Sequence, residues 1–218
     1  IQIHTDNSSL IFRIADNGRL YQSYLGKKLS HETDISHLPH GTEAYITHGM
    51  EDYFEPAIHI LHNDGNPSLL LKYVSHETKA VSQGVNETII TLGDDKYPVT
   101  VKLHYVTYPA EDIIKTYTEI SHKEKKPVVL HQYASSMLHL NRAKYYLTEF
   151  AGDWAHEANV TERELAFGKK VIDTKLGARA NMFVSPFFQL ALDNPSQENA
   201  GEVLVGTIGW TGNFRFTF

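Results

Sequence analysis

Apolar and polar side chains alternate along much of the chain. From Val99 to Thr107, the residues Val99, Val101, Leu103, Tyr105 and Thr107 fall on one face, with Thr100, Lys102 and His104 opposite. A period of two over that length predicts a half-buried antiparallel strand. Ile114, Thr116, Thr118 and Ile120 repeat the pattern against Lys115 and Glu119, and Leu10–Ile14, Leu69–Val74, Glu87–Leu92, Val128–Tyr133 and Val203–Ile208 read similarly. Turn formers separate these runs: Asp16-Asn17-Gly18, Asn63-Asp64-Gly65-Asn66-Pro67, Gly93-Asp94-Asp95 and Asp193-Asn194-Pro195. Short strands joined by polar turns predict an all-β, antiparallel sandwich rather than βαβ units.

Two stretches break the rhythm. Residues 26–56 are rich in His, Gly and Glu with little periodicity, and read as a long surface excursion. Residues 153–169 carry Glu157, Glu162, Arg163 and Glu164 between small residues, which suits either a strand with a long loop or a short helix. Neither has a linker composition, so residues 1–218 are expected to form one domain.

Composition narrows the function classes. With 41% hydrophobic and 21% charged residues, 12 Tyr and 10 Phe, the chain can build a sizeable core. A formal net charge of −6 argues against a nucleic-acid-binding face. The absence of cysteine removes disulfides, thiolate metal sites and Cys nucleophiles. No apolar run reaches the roughly 18 residues of a membrane helix, and no membrane partner is expected. The chain opens Ile1-Gln2-Ile3 and is expected to be a processed or recombinant piece; its compartment stays open.

Candidate chemistry is sparse. Thirteen histidines include His31, His37, His40 and His48 in the excursion, then His59-x-x-His62, but the spacings are irregular for a converging ligand set, and no metal or cofactor is expected. Asp94-Asp95 and Glu51-Asp52 are adjacent, so on a strand their carboxylates point to opposite faces, unsuited to a glycosidase pair about 5–5.5 Å apart. No nucleophile elbow, phosphate-binding glycine loop or zinc-protease motif occurs. Besides an accessory domain, two classes stay open: a free-standing sugar-binding sandwich with Tyr45, Tyr53 and Trp154 as its platform, and a His-lined metalloenzyme.

An ordered set of segments carries further information. These are Tyr24-Leu25-Gly26-Lys27-Lys28-Leu29, Gly49-Met50-Glu51-Asp52-Tyr53-Phe54-Glu55-Pro56-Ala57, Gly152-Asp153-Trp154-Ala155-His156-Glu157, Gly177-Ala178-Arg179-Ala180-Asn181, Ser185-Pro186-Phe187-Phe188-Gln189-Leu190 and Gly209-Trp210-Thr211-Gly212-Asn213-Phe214. In this order they resemble the N-terminal domain of bacterial family 36 glycoside hydrolases, the α-galactosidases, from Tyr24 onward. The chain departs from the family pattern at Phe54, where an Arg is usual, at His156, where an Arg usually precedes the Glu, and at Arg179-Ala180-Asn181, where Ser-Ser-His is usual.

The resemblance implies a large, galactose-mutarotase-like supersandwich that lacks its final strands and the catalytic (β/α)8 barrel, so no catalytic residue is expected in this chain. It also implies a retaining parent enzyme acting on terminal α-linked galactose. The domain would support the barrel, take part in oligomerisation, and reach galactosides bound to a neighbouring subunit. Asp34, Asp52, Tyr53 and Trp154 are the substrate-contacting candidates: an exposed Trp stacks on a sugar ring and Asp accepts hydrogen bonds from hydroxyls.

Overall fold

The computed structural model describes residues 1–50 and 54–218. Two compact units emerge, Ile1–Leu140 and Asn141–Phe218. The first contains β1 (Gln2–His4), β2 (Ser8–Ile14), β3 (Leu20–Lys27), a short helix α1 (Glu32–Ser36), β4 (Thr42–Glu43), β5 (Ile58–Leu61), β6 (Lys72–Ser82), β7 (Val85–Gly93), β8 (Val99–Tyr108), β9 (Ile113–His122) and β10 (Val129–Tyr133). The second contains β11 (Tyr145–Asp153), β12 (His156–Glu164), β13 (Val171–Thr174), a 3-10 turn (Gly177–Arg179), β14 (Val184–Leu192), β15 (Val203–Thr207) and β16 (Phe214–Thr217). Among the described residues these strands pair antiparallel, and one isolated parallel bridge joins Thr47 to Ile58.

In the first unit the sheets β1-β2-β3-β4 and β6-β7-β8-β9 enclose the core, and β5 and β10 form a separate ribbon. Ile3, Leu10, Phe12 and Leu20 from one sheet meet Ile90, Leu92, Val99, Val101, Leu103 and Tyr105 from the other, with the Phe12 and Tyr105 rings 5.2 Å apart. Burying each such side chain contributes about 1.5–3 kcal/mol. The alternation read between Val99 and Thr107 therefore marks the inner layer, and Ile114 and Ile120 of β9 pack partly buried against it. Turn chemistry sets the connections. Asp94 Oδ1 accepts from Lys96 N (2.6 Å) and Tyr97 N (2.9 Å), while its Oδ2 accepts from Leu70 N (2.6 Å).

The excursion at 26–56 is only half what its composition suggests. Residues 28–41 are largely exposed and carry α1, but Glu43, Ala44, Tyr45, Ile46 and Thr47 are buried. The short apolar run Ala44-Tyr45-Ile46 enters the core behind β4, and Tyr45 donates to Ala134 O at 2.7 Å. Flanking His and Gly hid that run. Tyr45 is therefore a core residue and offers no sugar platform.

In the second unit the main sheet runs β12-β11-β14-β15, and β13 pairs with β16. Leu147, Leu190, Leu192, Ile172 and Phe214 are buried. The Phe188 ring meets Phe216 and Phe218 edge-on at 5.1 and 4.8 Å. It also lies over Gly206 on the neighbouring strand, where an added Cβ would stand 2.2 Å from the ring. Residues 156–164 form an edge strand exposed at every position, which explains why period reading left that stretch open: neither face is apolar.

Candidate functional site

The sequence-derived candidates fall at three places. Asp34 sits on α1 and is exposed. Its helix is held to β2 by Arg13, whose Nη2 donates to Ile35 O (2.5 Å) and Ser36 O (3.0 Å). Asp52 and Tyr53 lie outside the described residues. Trp154 caps the β11–β12 hairpin with 87% of its surface exposed, its N–H donating to Asp153 Oδ1 at 2.7 Å and Ala155 beside it at φ 55°. Asp34 belongs to the first compact unit and Trp154 to the second.

The flanks of 51–53 are firmly built. Upstream, Thr47 bridges Ile58 of β5, and His48 N donates to Ile58 O at 3.0 Å. Downstream, Gln132 of β10 donates to Pro56 O at 2.7 Å. Three imidazoles line this base: His48 stacks on His59 at 3.8 Å between centroids, and His59 meets His131 at 4.9 Å. Burial first, then the neighbouring His48 and His131, hold the His59 pKa below its ordinary value. Ring nitrogens carry their lone pairs in the ring plane, so the stacked His48 and His59 rings do not aim them at a common point. Phe54, the position at which the family pattern usually has Arg, is exposed.

Two polar networks escaped sequence reading because they depend on register. On the outer face of the β6–β9 sheet, Glu87 Oε1 accepts from His104 Nδ1 (2.9 Å) and from the Tyr117 hydroxyl (2.7 Å), and Lys79 approaches Glu87 Oε2 at 3.0 Å. Hydrogen bonds from Tyr117, His104 and Lys79, in that order, bring the Glu87 pKa down to about 2, and the same contact with Glu87 pushes Tyr117 up to about 12. A carboxylate held ionised beside a phenol held protonated is a poor acid–base couple near neutrality. This cluster orders the sheet. The second network joins buried His62 to Glu124. His62 Nδ1 and Glu124 Oε1 lie 2.7 Å apart, His62 Nε2 faces Ser68 O at 3.1 Å, and the ring stacks on Tyr97 at 3.6 Å.

Against known proteins, the description "Glycosyl hydrolase family 36 N-terminal domain" matches residues 18–218. The chain belongs to that family. Relatives of the family 36 domain include Alpha-galactosidase 2 of Hypocrea jecorina, 27% identical over 76% of this chain and 24% of its own length. Probable alpha-galactosidase G of Aspergillus terreus is 26% identical over 77% of this chain and 25% of its own. The chain thus spans about a quarter of these curated relatives. Among solved structures, an α-galactosidase from Geobacillus stearothermophilus with raffinose aligns over 100% of this chain and 35% of its own at a TM-score of 0.89 and 20% identity. One from Lactobacillus brevis aligns at a TM-score of 0.85 and 21% identity, covering 34% of that chain. These likenesses carry the fold: the family 36 N-terminal β-sandwich.

Proposed function

We propose that this family 36 domain is the N-terminal accessory part of a retaining α-galactosidase that removes terminal α-linked galactose from oligosaccharides. In the parent enzyme one Asp on a (β/α)8 barrel attacks the anomeric carbon and a second carboxyl protonates the leaving oxygen, both outside residues 1–218. The match over residues 18–218, together with curated relatives bearing α-galactosidase names, carries this reading. Both compact units would then serve one domain, since the match spans them. Relatives solved with raffinose and with stachyose support galactosyl oligosaccharides as the substrate class. A bacterial parent rests on the ordered sequence segments alone, for the curated relatives named above are fungal.

The domain's part is support of the barrel, assembly of subunits and contact with galactosides. Asp52 and Tyr53 sit between well-anchored flanks, Asp34 is exposed on α1, and Trp154 offers an exposed indole for ring stacking. The 218-residue chain by itself should not hydrolyse p-nitrophenyl α-galactoside above background; turnover by a preparation free of host galactosidase overturns the reading. In the parent enzyme Asp52→Ala should lower kcat/KM by about 10- to 150-fold, the value of one hydrogen bond to a charged group. A lowered melting temperature with unchanged kinetics would instead make Asp52 structural.

A further inference from the structure

We propose that His104 and Glu119, on the outer face of the β6–β9 sheet, form a site for a borderline divalent transition metal such as zinc. The pairings His104↔Tyr117 and Lys102↔Glu119 set the two residues diagonally across β8 and β9, on the same face. His104 Nε2 and Glu119 Oε2 lie 3.5 Å apart. Two metal bonds of about 2.0–2.1 Å meeting at a tetrahedral angle hold their donor atoms about 3.3–3.4 Å apart, so an ion fits with little movement of either side chain. Among the described residues no three His, Asp or Glu side chains are grouped to hold a metal ion, so the chain supplies two ligands here and water the others.

The rest of the cluster prepares the imidazole for this role. Glu87 is held ionised, and its Oε1 accepts from His104 Nδ1 at 2.9 Å. In the neutral ring that contact keeps the proton on Nδ1 and leaves the lone pair on Nε2, the carboxylate–histidine arrangement that orients metal ligands and raises their basicity. The Tyr117 ring stacks on His104 at 4.2 Å and its hydroxyl donates to the same Glu87 oxygen, which fixes the ring plane. The His104 side chain is only 7% exposed, yet Nε2 has no hydrogen-bond partner among the described residues. A buried polar atom left in that state is costly, and a bound ion removes the cost. Glu119 is 56% exposed, which gives the ion a path from solvent, while Lys102 approaches its other oxygen at 3.9 Å. Imidazole beside carboxylate suits zinc, nickel and copper(II) rather than magnesium or calcium. The inference rests on the sheet's own geometry and stands apart from the galactosidase reading.

Zinc chloride titrated into the 218-residue chain near neutral pH, followed by calorimetry and by long-range proton–nitrogen NMR of the histidine rings, tests the site. Zinc should move the His104 Nε2 resonance saturably while Nδ1 keeps its proton, and magnesium at the same concentration should leave it unmoved. Glu119→Gln removes the charged ligand from an exposed position and should weaken zinc binding about tenfold or more. Glu119→His puts another ligand there and should restore it. Three results overturn the proposal. The first is an Nε2 resonance unmoved by about 1 mM zinc, where even a weak site fills. The second is zinc binding that Glu119→Gln leaves unchanged, which would assign the ion to other histidines such as His48, His59 and His131. The third is an Nε2 already protonated in the metal-free chain, which would make His104 an imidazolium shared between Glu87 and Glu119. The NMR result on the unaltered chain decides the matter even where a variant folds poorly.

Discussion

Removing the Glu124 carboxylate should destabilise the first compact unit more than any other single polar change considered for it. Glu124 lies just beyond β9, yet it holds the turn after β5. It takes the His62 ring at 2.7 Å and the Asn63 N–H at 3.0 Å, and also bonds the Asn63 amide. The His62 and Glu124 side chains are 0% and 2% exposed. Burial alone would raise the Glu124 pKa, but the hydrogen bonds from His62 and Asn63 outweigh it and leave the pKa below its ordinary value. Glu124→Ala strands the imidazole and a backbone N–H in a water-poor site, and breaking a buried pair costs about 3–5 kcal/mol. Glu124→Gln keeps an acceptor for His62 but turns an amide N–H toward the Asn63 donors, costing about 1–3 kcal/mol. Urea unfolding can follow each unit separately. Both tryptophans, Trp154 and Trp210, report on 141–218, while every tyrosine except Tyr145 and Tyr146 lies in 1–140. With an m-value of about 3 kcal/mol/M, a loss of about 3 kcal/mol lowers the tyrosine midpoint by about 1 M. A Glu124→Ala shift below about 0.3 M would refute the claim that this pair ties the turn to the strand.

Three further outcomes are expected. Because the His59 pKa is lowered in the fold, the unfolded chain binds more protons once pH drops below about 6.5. Melting temperature should therefore fall from pH 7.5 to pH 5.5, and His59→Gln should flatten that slope; an unchanged slope excludes the imidazole stack as its source. Glu87 is depressed to about 2, so its stabilisation is intact above pH 4.5 and disappears as pH falls toward 2. Tyr117→Phe removes its leading hydrogen bond and should raise the Glu87 pKa, read by NMR titration of the side-chain carboxyl. Tyr45→Phe leaves Ala134 O without its hydroxyl donor and should cost about 1–3 kcal/mol by urea unfolding.

Strand positions were largely legible where one face met the core, although the strand read at Leu69–Val74 begins only at Lys72, with Leu69 and Leu71 buried ahead of it. Val99, Val101, Leu103 and Tyr105 alternate in sequence because they alternate in space, and Asp94 and Gly18 mark real turns. The reading failed in two physical situations. Ala44-Tyr45-Ile46 is buried but too short to show a period, and β12 is exposed on both faces, so no period exists to find. The polar networks were hidden for another reason. Glu87, His104 and Tyr117 are 13 to 30 residues apart, and only the pairing of β7, β8 and β9 brings them together. Of the site, Trp154 was legible only as an aromatic in a distinctive segment; its place at the tip of the β11–β12 hairpin was not, because a stretch with no apolar face suited a strand with a long loop or a short helix equally well.

The Phe188 ring resting on Gly206 has an evolutionary consequence. A side chain at position 206 would collide with the ring, and a small residue at 188 would leave a void above the glycine and strip Phe216 and Phe218 of their edge-on neighbour. Neither position can drift alone. Among homologues the two should change in step, a bulkier residue at 206 accompanied by loss of the aromatic at 188, so this pair offers an internal register mark for aligning β14 with β15 where overall identity has decayed.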